Sequence, residues 1–175
     1  MFYLGNKFGG ICVNDYNLFK LAAASTRKWR EMEIRLIDET GNTDLSYHPK
    51  TGMSSLGWVL AHQASVFDFS LNMLIKAGSP KRPDLFKLYT PGTAGDWGGT
   101  SLEEIKEYYD SGERDLLEFT RTASEDYLEK RIPEGKAPSF FVGMTVREVI
   151  TNIFTHINYH TGHLASIRKE LQARK

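Results

Sequence analysis

Residues 145–171 read TVREVITNIFTHINYHTGHLASIRKEL, and the reading of this stretch decides the fold. Thr145-Val-Arg-Glu148 is a capping box, in which the hydroxyl and the carboxylate each accept the other residue's backbone N–H. Val149, Ile153, His156, His160, His163, Ile167 and Leu171 then recur at three- and four-residue spacing, which predicts one long amphipathic helix over about 145–173. Arg168, Lys169, Arg174 and Lys175 crowd its end, where cations favour the helix dipole; they are expected to be solvated.

Three more helical segments precede it. The first runs over about 15–39 from Asn14 or Asp15, with Leu18, Ala22, Ser25, Trp29, Met32 and Leu36 as its apolar stripe and Gly41 as its stop. The second covers about 55–77, starting at Ser54-Ser55 and halted by Gly78-Ser79-Pro80; its inward stripe is Val59, His62, Val66, Phe69 and Met73. The third, about 101–123, opens on the capping box Ser101-Leu-Glu-Glu104 and buries Leu102, Ile105, Tyr109, Leu116 and Phe119, with Gly112 as a local weak point. No segment shows a convincing strand alternation. The expected architecture is an all-α four-helix bundle with long inter-helix connections, one domain over residues 1–175.

Composition narrows the function. With 22 basic and 22 acidic residues the chain is neutral, which argues against a nucleic-acid binder relying on a broad basic face, although a local patch can hide in a neutral total. A single cysteine, Cys12, permits no internal disulfide and no thiolate-rich site, so a metal here would be held by nitrogen and oxygen, and a reducing cytoplasm is the natural compartment. Cys12 itself reads as a buried structural thiol. No run approaches a membrane span, and the start of the chain does not have the form of a secretory signal.

The histidines are the anomaly. At 100° per residue His156, His160 and His163 fall at about 0°, 40° and 340°, inside the apolar seam of the last helix, and His62 interrupts the second helix in the same way. Unpaired polar groups in a core cost roughly 1–3 kcal/mol each, so these rings need partners. A divalent ion would serve them together: an i, i+4 pair from one helix plus a histidine from a facing helix is a chelating triad with a position left open. His156 and His163 lie about 10.5 Å apart along the axis, so the pair is His156/His160 or His160/His163; spacing alone leaves both open.

Other polar residues read as structural. Asp68 lies about 240° from His62 around the helix and is expected to cap or pair elsewhere; Gln63 points away from the histidine face; His48, before Pro49, belongs to a solvated loop. Tyr159 is expected to face a helix neighbour. The loop over 78–100, rich in Gly and Pro and carrying Phe86, Tyr89 and Trp97, is either a rim over the metal end or a surface crossover; its turn residues argue against a buried element.

Two stretches resemble the DinB/YfiT-like superfamily. Ser55-Leu-Gly-Trp-Val-Leu-Ala-His62 is similar to its second-helix signature, and Thr145-Val-Arg-Glu-Val149 with His156-Ile-Asn-Tyr-His160-Thr-Gly162-His163 to its last helix; Leu85–Gly92 resembles a turn found in part of the family. The resemblance implies a four-helix bundle with a divalent metal, zinc or nickel, held by His62, His156 and His160. His163 stands where the family usually has glutamine, either as an imidazole in the shell behind the ligands or, as favoured here, as a neutral exchange of polar groups. The family's better-known members imply a transferase using a low-molecular-weight thiol, with a metal-dependent hydrolase or a non-catalytic metal-binding bundle as alternatives. A small-molecule substrate, no nucleic acid, no membrane and a homodimer complete the expectation.

Overall fold

A computed structural model describes residues 14–41, 44–50, 52–95, 100–135 and 137–174. The elements are α1 (Asp15–Asp38), α2 (Leu56–Asp68) running into a π-helical segment (Phe69–Ile75), α3 (Pro83–Phe86), α4 (Leu102–Thr122), α5 (Glu125–Leu128), a 3-10 turn (Ser139–Phe141) and α6 (Val146–Gln172). No strand occurs among the described residues; Arg131 and Thr145 pair as an isolated bridge. α1 lies against α6 and α4, and α2 against α4 and α6, which closes the four long helices into a bundle.

The start signals work as the sequence suggests. Asn14 accepts the Tyr16 N–H at 2.8 Å, Ser55 caps α2, and Thr145 and Glu148 form both halves of their capping box. At α4 only half of the box forms. Ser101 accepts from the Glu104 N–H, but the Glu104 carboxylate takes the Arg82 guanidinium at 2.8 Å instead of the Ser101 backbone. α2 changes to π-helical winding after Asp68, and the chain turns left-handed at Ala77 (φ 53°), one residue before the expected glycine stop.

Two helix faces differ from expectation. On α1 the buried residues are Phe19, Ala23, Thr26, Arg30, Glu33 and Ile37, one position round from the predicted stripe, so Leu18 and Trp29 are exposed. The stripes have identical spacing, and the buried one carries two charged residues, Arg30 and Glu33, that each meet a polar partner on another helix. Arg30 Nε donates to Gln63 Oε1 at 3.0 Å with its guanidinium 4.0 Å over the Tyr109 ring. Glu33 accepts from Arg168 Nε at 2.7 Å, so Arg168 ties α6 to α1 and is not solvated. Arg174 is exposed as expected and pairs with Glu170 at 3.0 Å on the surface. α2 is buried nearly all round, all but Val66 of its residues being covered, so a single inward stripe understates it.

Gly112 has a packing reason that propensity hides. A Cβ there would lie 2.7 Å from Phe67 Cβ, so α4 meets α2 only because the residue has no side chain. The connection after the π-helical segment is partly interior: Leu85 and Tyr89 are buried, contrary to the exposed loop its composition predicts. Cys12, Trp97 and Lys175 lie outside the described residues.

Candidate metal centre

His62 comes from the middle of α2, and His156 and His160 from successive turns of α6 where that helix faces α2. The three rings converge. His62 Nε2 and His160 Nε2 each lie 3.1 Å from His156 Nε2, and the three ligand atoms all lie within 4.8 Å of one another. Nitrogens bound at about 2.0–2.1 Å in tetrahedral array stand roughly 3.3 Å apart, a value close to the two 3.1 Å separations here. Among the described residues these three form the group able to hold an ion.

The donor set points the same way. His62 Nδ1 meets the Tyr89 carbonyl at 2.8 Å, and because a carbonyl only accepts, Nδ1 carries the proton and Nε2 presents a lone pair. His156 Nε2 has a neighbouring nitrogen on each side and at most one proton to share. A cation at the centre of the three nitrogens removes the conflict. Burial also keeps the rings neutral and ready to bind: it pushes His62 down to about 4 and His160 down to about 3, neighbouring imidazoles adding to the fall, and it lowers His156 and His163 as well.

The cluster is walled on one side and open on the other. Trp58, one turn before His62, stacks on its ring with centroids 4.4 Å apart, and its indole N–H donates to Thr93 Oγ1 at 3.2 Å. Ser65 donates to the His62 carbonyl, with a second contact to the Tyr89 carbonyl at 3.3 Å. Residues 89–93 therefore form part of the wall, which settles the rim reading for this portion of the loop. On the other side His156 is exposed, and Tyr159 is 63% exposed with its ring 4.5 Å from that of His163. Tyr159 thus faces solvent beside the histidines and not a helix neighbour.

His163 Nδ1 lies 3.2 Å from His160 Nδ1, behind the ligand ring. Spacing left His160/His163 open as the chelating pair; the geometry pairs His156 with His160 and leaves His163 off the triad. Asp68 is remote from the cluster, accepting the Lys81 and Arg82 N–H groups at 2.7 and 3.1 Å and the Tyr108 hydroxyl at 2.7 Å. Gln63 turns away, donating to the Ile157 carbonyl and Thr161. His48 is exposed, 3.4 Å from the Met53 carbonyl. What sequence reasoning missed is the support from the loop. A carbonyl, such as that of Tyr89, has no residue-type signature, whereas Trp58, four positions before His62, was visible as a same-face neighbour.

Residues 26–164 match the DinB superfamily, and the chain belongs to it. No curated protein matches. In structure the chain is similar to the crystal structure of a conserved protein from Enterococcus faecalis, with a TM-score of 0.64 at 14% identity, covering 88% of this chain and 96% of that one. At that identity the likeness shows a shared fold. No described helix is long and apolar enough to cross a membrane.

Proposed function

We propose that this member of the DinB superfamily is a metal-dependent enzyme whose divalent ion, zinc or nickel, is held by His62, His156 and His160. The observation that carries the reading is the convergence of three Nε2 atoms with one side open, where His156 is exposed. A site serving stability alone takes a fourth protein ligand, whereas three ligands and an open side leave room for a substrate. Bound there, the ion supplies Lewis-acid polarisation of an oxygen or sulfur donor arriving from outside the chain.

The chain's own residues do the rest. The Tyr89 carbonyl fixes the His62 tautomer and, with the Trp58 stack, its ring plane. Tyr159 stands on the exposed side of the cluster, and His163 backs His160. His163 and Tyr159 are the ionisable groups beside the ligands; none of the four clustered histidines hydrogen-bonds a carboxylate, so among the described residues no carboxylate base stands next to the open position. That favours a nucleophile acidic enough to ionise without one, a low-molecular-weight thiol, over water; the reaction read here is thiol transfer to a small molecule, with hydrolysis as the alternative. In this reading the sulfur is that of a co-substrate.

The test is metal content and melting temperature of the protein with zinc, nickel and manganese, beside His62→Ala. Stoichiometric uptake and a higher melting temperature are expected in the natural chain and not in the variant. In a cobalt-loaded sample, a small thiol should add a sulfur-to-metal charge-transfer band. If no ion stabilises the protein and His62→Ala leaves metal content unchanged, the metal reading fails. Metal uptake without any thiol effect shifts the reaction to hydrolysis or the site to a purely structural role.

A further inference from the structure

Arg30 puts a cation in the interior of the bundle, at 3% exposure, and among the described residues no carboxylate pairs with it. Burial pushes it down to about 10, which still leaves it charged at neutral pH. Of its N–H donors, the Nε–H goes to Gln63, and the Tyr109 ring covers one face of the guanidinium plane. Nη2 is buried with no hydrogen-bond partner. The neighbouring carboxylates of Glu31 and Asp110 turn elsewhere, both pairing with Arg27, at 3.7 and 2.8 Å. An arginine taken out of water without a counter-charge is costly, and one neutral acceptor with an aromatic face offsets only part of that.

Arg30 also lines a cleft of about 760 Å³ between α1, the start of α2 and the first turns of α4. That volume falls in the range of small-molecule sites. The apolar part of its wall is Ile34, Ile37, Leu45, Leu56 and Leu60, and from Arg30 to Asp38 it follows two turns of α1, about 12 Å. Its exposed side chains carry both signs, Arg35 and Lys106 against Asp38 and Glu103. No histidine lines it, so the cleft is separate from the metal centre.

We infer that this cleft binds a small carboxylate with an apolar body, its head group on the Arg30 guanidinium and its body along Ile34, Ile37 and Leu60. A carboxylate matches the guanidinium fork and supplies the counter-charge that the chain does not. The acidic side chains on the same wall repel a second negative charge, which selects a monoanion over phosphate. Because Arg30 is buried, a ligand must be small enough to enter the cleft to reach it.

Isothermal titration of the full chain with octanoate tests the proposal, beside its neutral analogue octanamide and inorganic phosphate. The expected result is saturable one-to-one binding of octanoate, with octanamide and phosphate each at least about 30-fold weaker. Arg30→Met should lose as much. Should that variant fail to fold, Ile34→Glu decides, because it places a carboxylate one helical turn from Arg30: helical circular dichroism should be unchanged and octanoate excluded. His62→Ala should bind octanoate as the natural chain does. No saturable octanoate binding overturns the proposal, as does equal binding of octanamide, which leaves Arg30 no part in recognition. Phosphate binding as tightly as octanoate overturns the choice of a monoanion. Octanoate binding that persists in Ile34→Glu, or that is lost in His62→Ala, puts the ligand elsewhere, in the second case on the metal, and overturns the assignment too.

Discussion

Acidification of the metal-free protein should cost stability through the histidine cluster, and the size of the loss follows from burial. His62 is 5% exposed and held at about 4 in the fold, chiefly by burial, against an ordinary histidine value near 6.5. A ring whose folded value is depressed takes up its proton more readily when the chain unfolds. The unfolded state therefore gains protons first, and stability is full above about pH 6.5, falls as the pH drops towards about 4, and levels off below. Between about pH 7.5 and pH 5 the unfolded ring goes from mostly neutral to almost fully charged while the folded ring stays neutral, a loss of about 2 kcal/mol for His62 alone. His160, held at about 3, adds a loss of the same sign. Urea unfolding in the presence of a chelator, run in parallel on the natural chain and His62→Gln, isolates the ring, because glutamine does not titrate. The stability difference between the two proteins should change by about 2 kcal/mol across that window. A difference constant to within about 0.5 kcal/mol would show that His62 titrates normally in the fold, and the argument for neutral, metal-ready imidazoles would fail.

Three further outcomes follow from packing and hydrogen bonding. Gly112→Ala should lower stability by about 1–2 kcal/mol in chemical denaturation, because the new methyl meets Phe67 Cβ at 2.7 Å and overpacking outweighs the helix-propensity gain. Asp68→Ala should cost about 3 kcal/mol, since the Lys81 and Arg82 N–H groups and the Tyr108 hydroxyl all lose their acceptor; zinc affinity by competition titration should stay unchanged, as Asp68 is remote from the ligands. His163→Leu should weaken zinc binding about 10-fold by removing the acceptor for His160 Nδ1–H, whereas His163→Gln should restore most of it; equal affinities in both variants would make His163 a bystander.

The four long helices were legible because their start signals are local: Asn14, Ser55, Ser101 and Thr145 each cap within their own first turn. The histidine triad was legible as a polar interruption of two apolar seams, with family likeness needed to choose between the two pairs on α6. Long-range partnerships were not legible. Glu104 leaves its own helix cap for Arg82, and Arg30 is interior because Gln63 and Tyr109 receive it there; both partners lie in other elements. The rotation of α1 is the plainest case. Hydrophobicity favoured the stripe through Leu18 and Trp29, and only tertiary contacts show that Arg30 and Glu33 of the other stripe find Gln63 and Arg168 inside the bundle.

Residues that cost the fold something sort by where the compensation lies. Gly112 weakens α4, and the close seat of Phe67 offsets the loss within the chain. Arg30 and Glu33 place charge in the core, and Gln63, Tyr109 and Arg168 offset that within the chain as well. The histidine triad and Gly162 differ. The three Nε2 atoms face each other with too few protons to satisfy every contact, and a Cβ at Gly162 would meet no atom of the described residues within 4 Å. For the nitrogens the fold supplies the geometry and leaves the compensation to a cation from outside it. His62→Gln tests that compensation directly, since it removes one of the three facing nitrogens from α2 and leaves His156 and His160 on α6 in place.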